Sequence, residues 1–94
     1  MPAKRVIHTK DIRSAGSVVE RVIWLLDRPV PPCEHLYKYR LYFGSPEQSF
    51  IRYDNERGKG DHRHVGSTET TYRFVSIPQL LADFRRDVET WEAL

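Results

Sequence analysis

Ninety-four residues and 11.1 kDa leave room for one hydrophobic core and exclude a second. With 39% hydrophobic and 30% charged residues the composition is globular rather than disordered, and a net charge of +2 is too mild to indicate nucleic acid by itself. The longest apolar run, Val22 to Leu26, is far below the ~20 residues that cross a bilayer, and the lone Cys33 excludes an internal disulfide or a multi-cysteine zinc site. No apolar h-region follows Met-Pro-Ala-Lys-Arg, so the reading is a reduced, cytoplasmic domain with no membrane partner.

Residues 1–16 are polar and weakly patterned, which predicts a flexible segment or short helix outside a single α+β domain at 17–94. They carry Lys4, Arg5, Lys10 and Arg13 against Asp11, whereas residues 79–94 lean acidic through Asp83, Asp87, Glu89 and Glu92. Val18 to Leu26 is rich in β-branched residues and reads as a strand with Val19, Arg21, Ile23 and Leu25 on one face. Three prolines among Pro29 to Pro32 then impose an extended loop. Leu36 to Phe43 is the next strand, with Tyr37, Tyr39, Leu41 and Phe43 alternating with Lys38, Arg40 and Tyr42. Gly44-Ser45-Pro46-Glu47 signals a hairpin turn, and Phe50 to Asp54 returns. Asn55 to Asp61 reads as a charged, Gly-rich loop that buries nothing. His62 to Val65 begins a strand, Gly66 to Thr70 is a turn or bulge, and Thr71 to Val75 is a further strand. Ser76, Pro78 and Gln79 form a helix-start signature, and Leu80, Leu81, Phe84, Val88 and Trp91 then recur at helical spacing, with Asp83, Arg86, Asp87 and Glu89 off that stripe. The expected fold is α+β: an antiparallel meander of three to five strands with a C-terminal helix packed on one face.

Titratable groups converge on residues 35–64. Lys38 and Arg40 share one strand face, Arg52 and Asp54 share a face of the next, and Lys59, Asp61, His62, Arg63 and His64 follow. His62 and His64, two apart, project to one side of a strand. Three readings compete. In the first, the two imidazoles, open to solvent, transfer protons while Lys59, Arg52, Arg40, Lys38 and Arg63 hold phosphate and Asp54 or Asp61 orients a partner. That set fits metal-independent RNA cleavage and calls for no cofactor. In the second, the histidines and an aspartate bind a divalent metal, as in a metal-dependent nuclease. In the third they are structural. Gly58-Lys59-Gly60 lacks the spacing of a nucleotide-hydrolase loop. Cys33 has no adjacent cation and reads as inert. Tyr42 and Tyr53 are the candidates for exposed base stacking.

The runs His35-Leu36-Tyr37-Lys38-Tyr39-Arg40, Arg52 through His64, Tyr72-Arg73-Phe74 and Leu80-Leu81-Ala82-Asp83-Phe84 resemble the TumE-like toxins of prokaryotic toxin–antitoxin pairs, over roughly residues 17 to 88. The resemblance implies a small cytoplasmic toxin held inactive by a cognate antitoxin. It supplies no catalytic set; RNA or the ribosome as target is an analogy with other small toxins. A non-catalytic module whose basic sheet face engages an acidic protein or nucleic acid is the alternative. Exposed strand edges in so small a sheet also make a homodimer a candidate.

Overall fold

The computed structural model describes residues 3–13 and 15–94. Among these residues six strands form one antiparallel sheet in chain order: β1 (Lys4–Ile12), β2 (Val18–Leu25), β3 (Tyr37–Gly44), β4 (Ser49–Glu56), β5 (Gly60–Val65) and β6 (Thr68–Thr71), followed by the helix α1 (Ile77–Glu92). The fold is α+β as expected, with one strand more than the upper bound of the prediction. The helix is neither long nor apolar enough to cross a membrane.

Two elements differ from their sequence reading. Residues 4–12, predicted as a flexible segment or short helix, are the edge strand β1, paired with β2 from Lys4↔Leu25 to Ile12↔Val18. Their polarity reflects an edge position, because an edge strand with little cover needs few apolar side chains. The last strand falls at Thr68–Thr71, not Thr71–Val75. Gly66 and Ser67 close a two-residue hairpin, and Gly66 holds φ +60, the left-handed backbone that a primed turn demands at its first central position.

The core lies between α1 and one sheet face. Val19 and Ile23 of β2, Tyr39, Leu41 and Phe43 of β3, and Ile51 and Tyr53 of β4 alternate inward and are buried. Leu80, Phe84 and Val88 of α1 meet them at i, i+4 and i+8, each contributing on the order of 2 kcal/mol of apolar burial. Trp91 stacks on Phe50 at 5.3 Å. Ser76 Oγ accepts from the Gln79 backbone N–H at 3.2 Å, and Pro78 fills the first turn where no N–H is needed. The Gln79 side chain turns along the helix, where Nε2 donates to Asp83 Oδ1 at 2.7 Å.

Asp87, placed off the apolar stripe by its spacing, is 8% exposed. It accepts two parallel bonds from Arg63, Nε at 2.7 Å and Nη2 at 2.9 Å, and a third from the Tyr53 hydroxyl. This polar clamp joins α1 to β4 and β5.

The expected loop at 55–61 is largely ordered sheet, with only Arg57 to Lys59 in the turn. Asn55, read as unable to bury, is 1% exposed. Beyond the Arg40↔Asp54 pair its side chain takes over the ladder between β3 and β4: Oδ1 accepts from Tyr39 N–H at 3.0 Å, and Nδ2 donates to Tyr37 C=O at 2.8 Å. Asn55→Ala strands both backbone groups and should lower stability by about 2–3 kcal/mol, measured as a shift of the urea midpoint at constant slope.

Candidate functional site

Strand side chains alternate, so the residues between the core positions project from the face away from α1. On that open face β2 presents Glu20, Val22 and Trp24, and β3 presents Lys38, Arg40 and Tyr42. The next strands add Arg52 and Asp54 from β4, His62 and His64 from β5, and Glu69 from β6. The register makes rows of them: Val22, Arg40, Asp54 and His62 in one, Glu20, Tyr42, Arg52, His64 and Glu69 in the next. The structure thus brings Lys38, Arg40, Arg52, Asp54, His62 and His64 onto one surface, and Lys59 reaches it from the β4–β5 turn.

Glu69 is the centre of the cluster. Its Oε2 lies 2.8 Å from Lys59 Nζ, 3.6 Å from His64 Nε2 and 4.0 Å from His62 Nε2. The Lys59 ammonium holds the Glu69 carboxyl below its ordinary range, and Glu69 in turn raises Lys59. Arg52 Nη2 stands 3.0 Å from His64 Nε2. A guanidinium only donates, so Nε2 of His64 accepts and the ring is neutral. Burial lowers the His64 pKa, and the positive charge of Arg52 lowers it further. His62 Nδ1 faces the Gly60 carbonyl at 3.1 Å; that nitrogen carries the hydrogen, and Nε2 is left turned toward Glu69. Arg52 Nε is buried and has no hydrogen-bond partner among the described residues. Asp54 Oδ2 lies 3.2 Å away but out of line, so this contact is Coulombic and the donor is unfilled.

The rings are not open to solvent as expected: the His62 and His64 side chains are 11% and 18% exposed. Polar groups stand against them, Glu69 beside both rings and Arg52 beside His64.

The family model of toxin TumE matches residues 2–92. The chain belongs to the TumE toxin family. It is the toxin component of a toxin–antitoxin system, and the partner that membership implies is a cognate antitoxin. Neither the curated proteins nor the solved structures contain a match.

Three predicted site residues of this TumE-family chain lie on the other face. Tyr53, read as an exposed stacking group, is fully buried beneath α1, and Arg63 is committed to Asp87. Tyr53 pairs with Arg63 and Arg52 with His64, one residue apart on each strand, so one sheet face cannot present all four together. Asp61 also points inward. Its Oδ2 accepts from Tyr39 OH at 2.6 Å and His35 Nε2 at 2.8 Å, and its Oδ1 from the Cys33 thiol at 3.1 Å.

Cys33, His35 and Asp61 are the metal-ligand types that gather within reach of one ion among the described residues, a set the sequence reading did not assemble. Their hydrogen bonds assign another role. The Tyr37 N–H donates to His35 Nδ1 at 3.1 Å, which fixes the hydrogen on Nε2, the nitrogen a metal would need. Burial, then the bond to Asp61, pushes the Cys33 thiol up to about 11, so the thiolate that binds metal or attacks carbon is disfavoured. The cluster ties the proline loop to β5.

Glu69 is the site residue that sequence reasoning missed. It was absorbed into a small polar turn at 66–70. The signal was Gly66-Ser67: read as a two-residue hairpin, it places Glu69 opposite His64.

Proposed function

We propose that this TumE-family toxin acts in the cytoplasm on RNA, cutting it without a metal. The observation that supports this reading is the Arg52–His64–Glu69–His62 array: a neutral imidazole, a second imidazole of fixed tautomer, and a guanidinium with a free buried donor, all on one exposed sheet face. A phosphate arriving at Arg52 satisfies Nε and draws the guanidinium off His64, which frees the Nε2 lone pair. His64 then removes the ribose 2′-OH proton, the oxygen attacks phosphorus, and the 5′-oxygen leaves with the Nε2 proton of His62, which enters the reaction as the imidazolium with its Nε2–H toward Glu69. The products are a 2′,3′-cyclic phosphate and a 5′-hydroxyl, with no net proton change. Lys59 and Arg40 flank the array and hold neighbouring phosphates.

The close cover of both rings also favours a second reading, a non-catalytic module in which the same face binds a partner. One assay separates the readings: antitoxin-free protein incubated with labelled single-stranded RNA in chelator. Cleavage to cyclic-phosphate ends, blocked by a 2′-deoxy residue at the cut, is the expected result. Salt-sensitive binding without scission indicates the module, and scission only after adding a divalent ion indicates the metal-dependent nuclease.

A further inference from the structure

Next to the His62–Asp54 row lies a hollow of about 390 Å³ lined by Trp24, Lys38, Arg40, Asp54 and Glu56, with Tyr39 and Asn55 completing its wall. Of its lining the proposed cleavage uses only Arg40, at the edge toward the array. Trp24 is half-buried on the open face and stands directly across from Lys38 in the β2–β3 register. An indole that served only the core would point toward α1; this one points away from it, between cations. The Lys38 ammonium donates to the Asn55 carbonyl, which fixes it at the rim with hydrogens to spare. Glu56 follows Asp54 on the same side of β4, is exposed, and enters none of the ion pairs formed among the described residues. Arg40 stacks its guanidinium over Tyr42 at 5.0 Å, which extends the flat surface along β3.

We infer that this hollow is a guanine-binding subsite, and that the RNA met by this face is single-stranded with a guanine beside the reacting phosphate. The inference deepens the RNA-cleavage reading and rests on it. The base stacks on Trp24, the contact by which sheet-face RNA binders hold an unpaired base. Its Watson–Crick edge carries two adjacent donors, N1–H and the 2-amino group, and one acceptor, O6. Glu56 is the carboxylate for the donors and Lys38 the ammonium for O6. Adenine and cytosine turn a ring-nitrogen lone pair toward that carboxylate, and uracil flanks its one donor with two carbonyls, so each meets repulsion where guanine is bonded. A base held in a duplex hides this edge, which is why the strand must be single.

The test reads indole fluorescence during titration of the purified protein with GMP, AMP, CMP, UMP and inorganic phosphate. GMP is expected to quench at a concentration at least about tenfold below the other three nucleotides, a factor worth about 1.4 kcal/mol, with phosphate silent. The quench should vanish in Trp24→Phe if Trp24 is its source, because Trp91 lies on the helix side. Glu56→Ala, at an exposed position that leaves the fold intact, should erase the preference for GMP and keep a weak, base-blind quench. Equal quenching by all four nucleotides, no quenching, quenching by phosphate alone, or an unchanged GMP preference in Glu56→Ala would each overturn the subsite. Parallel RNA digestion keeps the two ideas apart. GMP binding with RNA left intact upholds the subsite and removes the cleavage reading. RNA cut by a protein indifferent to GMP removes the subsite alone.

Discussion

Replacing Asp87 by Ala should cost about 3 kcal/mol of stability, a loss of roughly 12–24 °C in melting temperature for a domain of this size. The substitution removes one small side chain but strands two partners, the Arg63 guanidinium and the Tyr53 hydroxyl, the latter beneath α1. Breaking a buried ion pair typically costs ~3–5 kcal/mol; the low end applies because the Arg63 side chain is 34% exposed and regains some water. Asp87→Asn keeps the shape and one acceptor and should lose less. The same clamp sets an acid limit. Burial alone would raise the Asp87 pKa, but the Arg63 guanidinium and the Tyr53 hydroxyl outweigh it and hold the carboxyl below its ordinary value. A carboxyl depressed in the folded state stabilises the fold above its unfolded pKa of ~3.9, and that contribution fades as pH falls further. Thermal melts between pH 7 and 2.5 should therefore show wild type falling more steeply than Asp87→Ala below about pH 4. Parallel curves would mean that the clamp contributes nothing through its charge.

This clamp also shows what could be read from the sequence. Period-two alternation in β2 and β3 and period 3.6 in α1 were plain, because each buries one continuous apolar stripe. The stripe residues Leu80, Phe84 and Val88 and the strand residues Tyr39, Leu41 and Phe43 lie where their spacing puts them. Residues buried for polar reasons left no such trace. Asn55, Asp61 and Asp87 each carry a polar side chain that spacing assigns to solvent, and each is covered because partners distant in sequence satisfy it. The edge strand β1 was illegible for the opposite reason: its pairing is backbone to backbone and asks little of its side chains. At the site, alternation within β3, β4 and β5 sufficed to collect Lys38, Arg40, Arg52, Asp54, His62 and His64. It also carried the means to set Arg63 and Tyr53 aside, since neighbours one apart on a strand face opposite ways.

The array on the open face carries the larger functional consequence. His64→Ala should reduce RNA cleavage by a factor of ~10²–10⁴ and relieve growth arrest on induction without antitoxin, and His62→Ala should act comparably, because general acid–base groups contribute on that scale. Neither change should lower the melting temperature as much as Asp87→Ala does, since neither ring belongs to the apolar core cluster. Loss of activity alone would not separate proton transfer from support of Arg52, so the pH profile decides. Burial and the Arg52 charge lower the His64 pKa. The ring therefore stays unprotonated below the ordinary value of ~6.5, and the acid limb of the cleavage profile should lie on the acidic side of it. Arg52→Gln removes the charge yet keeps a donor near Nε2, and should move that limb toward higher pH while weakening RNA binding. An acid limb unmoved by Arg52→Gln, or full growth arrest from the His62→Ala, His64→Ala double variant, would remove the imidazoles from the reaction and leave the open face as a binding surface.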